Sequence, residues 1–145
     1  MTLLERAIAL LGDVHTAGIA TVATDGSPWA SNLRYAVLPS HGLRLAVLTD
    51  PSSTHVQHWT ANPTVALSIF ALPDTPLRVV RGLQMRGRAS LDGDGEGAEA
   101  FQERFADMTV TAGPQHLYVI EVGWLRLVDR TATPAISEIT LETPV

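Results

Sequence analysis

The sequence predicts a mainly β protein, a six-stranded closed antiparallel barrel with short helices inserted. Three observations carry that expectation. Apolar, β-branched segments succeed one another through turn residues in mostly hairpin order, which suits a barrel better than a doubly wound sheet. No repeat, heptad or low-complexity tract interrupts them. The 145 residues make one domain at roughly 100–200 residues per domain, with no room for a second.

Thr2-x-x-Glu5 is a capping box, and Leu3, Leu4, Ala7, Ile8, Leu11 and Val14 recur behind it at helical spacing, so the chain opens with an amphipathic helix ending near His15. Ile19, Thr21, Val22 and Thr24 mark a first strand over Ala17–Thr24, closed by the hairpin turn Asp25-Gly26. Trp29–Leu38 is the second strand, and Pro39-Ser40-His41-Gly42 turns the chain into the third, Leu43–Thr49. Pro51 and the hydroxyls of Ser52, Ser53 and Thr54 then start a short helix carrying Val56 and Trp59. It must stop at Asn62-Pro63, because the residue before proline is pushed out of the helical region. Thr64–Leu72 is the fourth strand, Pro73-Asp74-Thr75-Pro76 a turn, and Val79–Leu91 a long fifth strand bent at Gly82 and Gly87. A helix over about 98–105 and a sixth strand over Leu117–Asp129 complete a domain of residues 1–130. Residues 131–145 form a tail with two prolines and at most a short strand at Ile136–Leu141.

Composition excludes several functions. Fifteen acidic residues against ten basic ones give a net charge of -5, which argues against nucleic acid, whose phosphates need a basic face. The first helix lacks a basic leader and is interrupted by Glu5, Arg6 and Asp13, so neither a signal peptide nor a membrane span is expected, and the cytoplasm is the expected location. Zero cysteines remove disulfides, thiolate catalysis and cysteine zinc sites, and because every basic residue is arginine there is no lysine for a Schiff base. The chain is 46% hydrophobic and only 17% charged, against roughly 25% charged in an ordinary soluble domain. Apolar surface is therefore expected to be covered by a second subunit.

The segment Leu48-Thr49-Asp50-Pro51-Ser52-Ser53-Thr54-His55 runs from a strand into a helix N-terminus through hydroxyls and an imidazole. Free N–H groups and the helix dipole there suit a phosphate, with ordinary capping as the alternative. On the fifth strand, alternation puts Gln84, Arg86 and Arg88 on one face and Leu83, Met85 and Ala89 on the other, as a solvated barrel exterior also requires. His55-x-x-His58 shares one helix face but lacks the Glu of a zincin, so capping or surface histidines are expected rather than a metal. Asp92-x-Asp94-x-Glu96-Gly97 approaches a calcium-loop spacing, but Glu96, Glu99 and the preceding strand depart from it, and a plain acidic turn is expected.

Taken in order, Gly18-Ile19-Ala20-Thr21-Val22, Gly26-Ser27-Pro28-Trp29-Ala30-Ser31, Leu48-Thr49-Asp50, Ala61-Asn62-Pro63-Thr64-Val65-Ala66-Leu67 and Arg81-Gly82-Leu83-Gln84-Met85-Arg86-Gly87 resemble the pyridoxamine 5'-phosphate oxidase-like FMN-binding split barrels over about residues 3–130. The resemblance implies a homodimer with FMN at the subunit interface and two-electron chemistry on a small organic substrate. It implies that Ser31, Asn32 and Leu33 run along the isoalloxazine, that Thr49 touches the ring or ribityl chain, that Ser53, Thr54 and His55 hold the phosphate, and that Gln84 bonds the flavin. Where the family often has Ser-Arg-Lys, this chain has Ser53-Thr54-His55, so two fixed charges are missing, with Arg34 or the helix dipole left to compensate in part. Alternatives are a flavin- or haem-binding protein without turnover and a cofactor-free dimer. The oxidases' substrate-phosphate anchor, a Tyr, an Arg and a Ser at four-residue intervals, is matched only by Arg104, flanked by Ala100 and Met108. Pyridoxamine or pyridoxine 5'-phosphate is therefore not the expected substrate.

Overall fold

The computed structural model describes residues 1–38, 42–72, 81–93, 95–106 and 115–141. The elements are α1 (Leu3–Asp13), β1 (Thr16–Val22), β2 (Pro28–Leu38), β3 (Arg44–Thr49), α2 (Thr54–Ala61), β4 (Thr64–Ala71), β5 (Arg81–Leu91), α3 (Glu96–Arg104), β6 (His116–Asp129) and β7 (Ile136–Thr140). The turns expected at 39–41 and 73–76 lie outside the described residues.

Six strands close an antiparallel barrel in the order β3-β2-β1-β4-β5-β6, with β6 pairing back onto β3. Closure depends on the length of β6. Its first half, His116–Glu121, pairs with β3, while Trp124–Val128 pairs with β7. The seventh strand comes from the segment set apart as a tail and extends the sheet outside the barrel.

Local chemistry explains the element ends. At α1 the Thr2 hydroxyl accepts from the Glu5 N–H at 3.1 Å and the Glu5 carboxylate accepts from the Thr2 N–H at 3.3 Å, the reciprocal capping box. Between β1 and β2, the Gly26 N–H donates to the Ala23 carbonyl and Gly26 takes φ +88°, the left-handed position of a three-residue hairpin loop. Helix α2 ends at Asn62 before Pro63, as the proline rule demands.

Strand alternation fills the barrel from inside. Ile19, Tyr35, Leu45, Val47, Leu67, Leu83, Met85, Ile120 and Leu125 are buried in one cluster, with Leu10 and Leu11 of α1 and Val56 and Trp59 of α2 packed into it. On β5 every second residue from Leu83 to Ala89 is buried and every intervening one exposed, as the sequence alternation requires. Helix α3 packs separately, through Phe101 and Phe105 against Ala36. The acidic turn before it is structural: the Asp92 carboxylate accepts from the Gly97 N–H at 3.1 Å, and Glu96 pairs with Arg44 at 2.8 Å. Asp94 lies outside the described residues.

Candidate functional site

The strand β3 ends at Thr49 and the chain re-enters as α2 with Ser53 at its N-cap. This brings His55 under the end of the barrel, where it is buried. Its Nε2 lies 2.7 Å from Thr49 Oγ1 and 3.1 Å from Ser53 Oγ, and its Nδ1 lies 3.1 Å from Ser31 Oγ. Ser53 Oγ already donates to the Asp50 carbonyl at 2.6 Å, so towards His55 it offers lone pairs, which suits a hydrogen on Nε2. Nδ1 then accepts from Ser31, whose oxygen in turn accepts from the Trp29 indole at 3.1 Å. A neutral imidazole satisfies every partner. Burial, and after it the nearby His58, holds His55 below the usual histidine value, in agreement.

His58 bonds elsewhere. Its Nδ1 lies 2.8 Å from the hydroxyl of Thr21, which is fully buried. The two histidines of the His-x-x-His spacing thus serve different hydroxyls, and among the described residues no group of three metal-ligating side chains forms. Trp59 lies between His55 and Tyr118, with ring centroids 5.2 and 5.3 Å away.

A second feature lies on the outer face of the barrel. Asn32, Gly18, Ser68 and Gln84 pair in succession across β2, β1, β4 and β5; two residues along each strand the row is Ala30, Ala20, Ala66 and Arg86. These small side chains leave a shallow, largely apolar depression of about 470 Å³, walled by Gln84, Arg86 and Trp124. At Gly18 an added Cβ would rise 3.7 Å from both the Asn32 side-chain oxygen and the Ser68 carbonyl, into the floor of this depression.

The residues implied for the flavin therefore fall into two groups. Ser31, Thr49, Ser53 and His55 are joined by hydrogen bonds, and Thr54 is exposed beside them at the start of α2. Asn32 and Gln84 share the outer row, three strand spacings or about 14 Å apart. Leu33 packs against the core. Arg34, three residues along β2 from Ser31 and so about 10 Å away, stacks over Phe105 at 5.5 Å rather than joining the Ser53–His55 cluster. Sequence reasoning missed Thr21, Trp29, Ser68 and Trp124. The i, i+2 spacing of Trp29 and Ser31 on one strand face was an available signal; the others depend on pairing between distant strands.

A sequence profile described as pyridoxamine 5'-phosphate oxidase matches residues 3–129. The chain belongs to this family. Its fold is shared with a haem-binding protein from Mycobacterium smegmatis (TM-score 0.79, 19% identity, 97% of this chain and 58% of that one). It is also shared with a putative pyridoxamine 5'-phosphate oxidase from Listeria innocua (TM-score 0.66, 19% identity, 87% and 98%). A FAD-binding protein from Mesorhizobium loti is a third likeness (TM-score 0.64, 18% identity, 86% and 92%). No functionally curated protein matches the sequence. The chain spans 58% of the length of the haem-binding protein.

Within the family's split barrel, Arg104 has a structural task. Its guanidinium donates to the carbonyls of Leu11, Gly12, Val14 and Tyr35 at 2.9–3.2 Å, which caps the C-terminus of α1. The adjoining groove between α1 and α3, about 610 Å³, is lined by Glu96, Glu99 and Glu103. Those carboxylates oppose a phosphate. Among the described residues no helix is long and apolar enough to cross a membrane.

Proposed function

We propose that this chain binds FMN as a cytoplasmic homodimer and acts as an oxidoreductase on a small organic molecule other than pyridoxamine phosphate. The observation that carries the reading is the depression on the outer face. A floor of glycine and alanine, with Ser68, Gln84 and Arg86 as its polar lining and Asn32 beside Gly18 in the same row, has the flatness and chemistry that an isoalloxazine ring needs. Membership of the family supports it. At the phosphate end the fit is of a different kind, because Ser53 and His55 are hydrogen-bonded to each other and burial holds the imidazole below the usual histidine value. The N–H groups of the first turn of α2 and the Thr54 hydroxyl remain as phosphate donors. Thr49 and Ser31 hold His55 and so shape this end. When bound, the flavin supplies the two-electron redox chemistry, and the protein supplies binding and orientation.

The visible spectrum of the purified protein distinguishes flavin, haem and no cofactor. Titration of the apoprotein with FMN and riboflavin then tests the phosphate end. FMN should bind at least about tenfold more tightly, since each charge-assisted hydrogen bond is worth about 1.5–3 kcal/mol. Equal affinities would remove Thr54 and the N-terminus of α2 from the site, and a haem spectrum without FMN binding would replace the flavin reading altogether.

A further inference from the structure

Gln84 and Arg86 stand two residues apart on the exposed face of β5, and both line the outer depression. Of the described residues that line it, Arg86 alone is charged. The register of β5 on β6 shifts between Arg86 and Gly87, so that Arg86 faces Trp124 while Gly87 faces Val122. Such shifts re-aim a side chain. Here the Arg86 guanidinium carbon comes to 4.4 Å from the centre of the Trp124 ring. That contact fixes a cation at the rim without supplying an oxygen for its N–H groups. Arg126 also lies near Trp124, at 5.7 Å, but its Nε and a terminal nitrogen are bonded to Glu138.

An isoalloxazine ring has a polar edge of carbonyl oxygens and ring nitrogens and an apolar benzenoid edge. The polar edge belongs against Gln84 and Arg86 on β5, and the benzenoid edge over Ala20 and Ala30 of β1 and β2. A hydride taken from the organic substrate converts the neutral oxidised ring to an anion, with the hydrogen on N5 and the charge shared by N1 and the C2 oxygen, and leaves the substrate oxidised by two electrons. A cation held at the polar edge therefore meets charge that develops only on reduction.

We propose that Arg86 binds reduced flavin in preference to oxidised flavin and thereby raises the reduction potential of the bound cofactor. This rests on the flavin reading and adds to it the residue that sets the electron affinity of the site.

The test uses FMN in wild type, Arg86→Gln and Arg86→Lys, with thermal unfolding to verify folding. Quenching of flavin fluorescence gives the affinity for oxidised FMN, and stepwise reduction of the loaded protein with dithionite beside a reference dye gives the midpoint potential. In Arg86→Gln, reduced FMN should lose at least about tenfold more affinity than oxidised FMN, which lowers the two-electron potential by about 30 mV or more. Arg86→Lys keeps a charge and should recover part of that shift. An unchanged potential in Arg86→Gln, with both redox states weakened equally or neither weakened, overturns the proposal and leaves the flavin reading standing. An equal fall in Arg86→Lys and Arg86→Gln also overturns it, because charge at this position would then not set the potential. A wild-type protein that takes up no FMN removes the flavin reading and this proposal together.

Discussion

Arg104 lies with its guanidinium carbon 4.9 Å from the centre of the Tyr35 ring and donates to the Tyr35 carbonyl at 3.1 Å. The two side chains act on the same target. The Tyr35 hydroxyl donates to the carbonyls of Leu11 and Val14, which Arg104 also engages. Helix α1 has no basic residue in its own last turn, so its cap comes from α3 and β2. Arg104→Met should cost about 2–3 kcal/mol, the range for a charged hydrogen bond lost in a partly buried setting. Urea unfolding measures it, and an unchanged midpoint would refute the cap.

The same commitment bears on the substrate. With Arg104 held on α1 carbonyls and Ala100 in the preceding position of the anchor, a substrate phosphate has few partners in this chain. Losing several charge-assisted bonds should reduce affinity about 10²-fold or more. Flavin-loaded protein incubated with pyridoxine 5'-phosphate under air should form no pyridoxal 5'-phosphate. Turnover at the roughly 1–10³ s⁻¹ of ordinary enzymes would contradict this.

His55 makes folding sensitive to acid. Its ionisation lies below the usual histidine value of 6.5 in the folded chain, through burial first and His58 second. A depressed histidine contributes stability that is complete above 6.5 and is lost as pH falls through the folded value, because the unfolded chain takes up the proton first. Wild type should therefore lose more stability than His55→Gln on going from pH 7 to pH 5. Parallel pH profiles for the two proteins would show that His55 does not carry the effect.

What the sequence made legible was local. The ends of α1, α2, β2 and β4 follow from a capping box, a proline and β-branched runs, all read within a few residues. The resemblance grouped Ser31, Thr49, Ser53 and His55, but their hydrogen bonds to one another were hidden, because the four groups come from β2, β3 and the start of α2 and their meeting depends on how the barrel closes. The Arg86–Trp124 contact was hidden for the same reason. Alternation correctly placed Arg86 outside, but only the β5–β6 register brings Trp124 beneath it.

Oligomeric state follows from the apolar outer face. Its floor residues Ala20, Ala30 and Ala66 are exposed in the single chain, and a second copy covering them agrees with the low charge content. Sedimentation over a range of concentrations should show a dimer, and dissociation should release flavin. A monomer that keeps FMN tightly bound would contradict the assignment.

The bulge between β5 and β6 offers a test with its own control. Gly87 and Gly123 both flank the register shift, yet their surroundings differ. A Cβ at Gly87 would meet the Glu121 carbonyl oxygen at 2.3 Å and the Ile120 side chain at 3.1 Å, whereas at Gly123 nothing lies within 4 Å. The Glu121 carbonyl is part of the strand backbone and cannot swing aside without breaking the ladder. Gly87→Ala should therefore destabilise by about 3 kcal/mol or more, in the range of overpacking and backbone strain. Gly123→Ala should stay within about 1 kcal/mol of wild type and gain slightly if the unfolded chain loses freedom. Thermal unfolding of both variants decides it. Equal effects would mean that the tight approach at Gly87 does not set the register, and the Arg86–Trp124 contact would then need another cause.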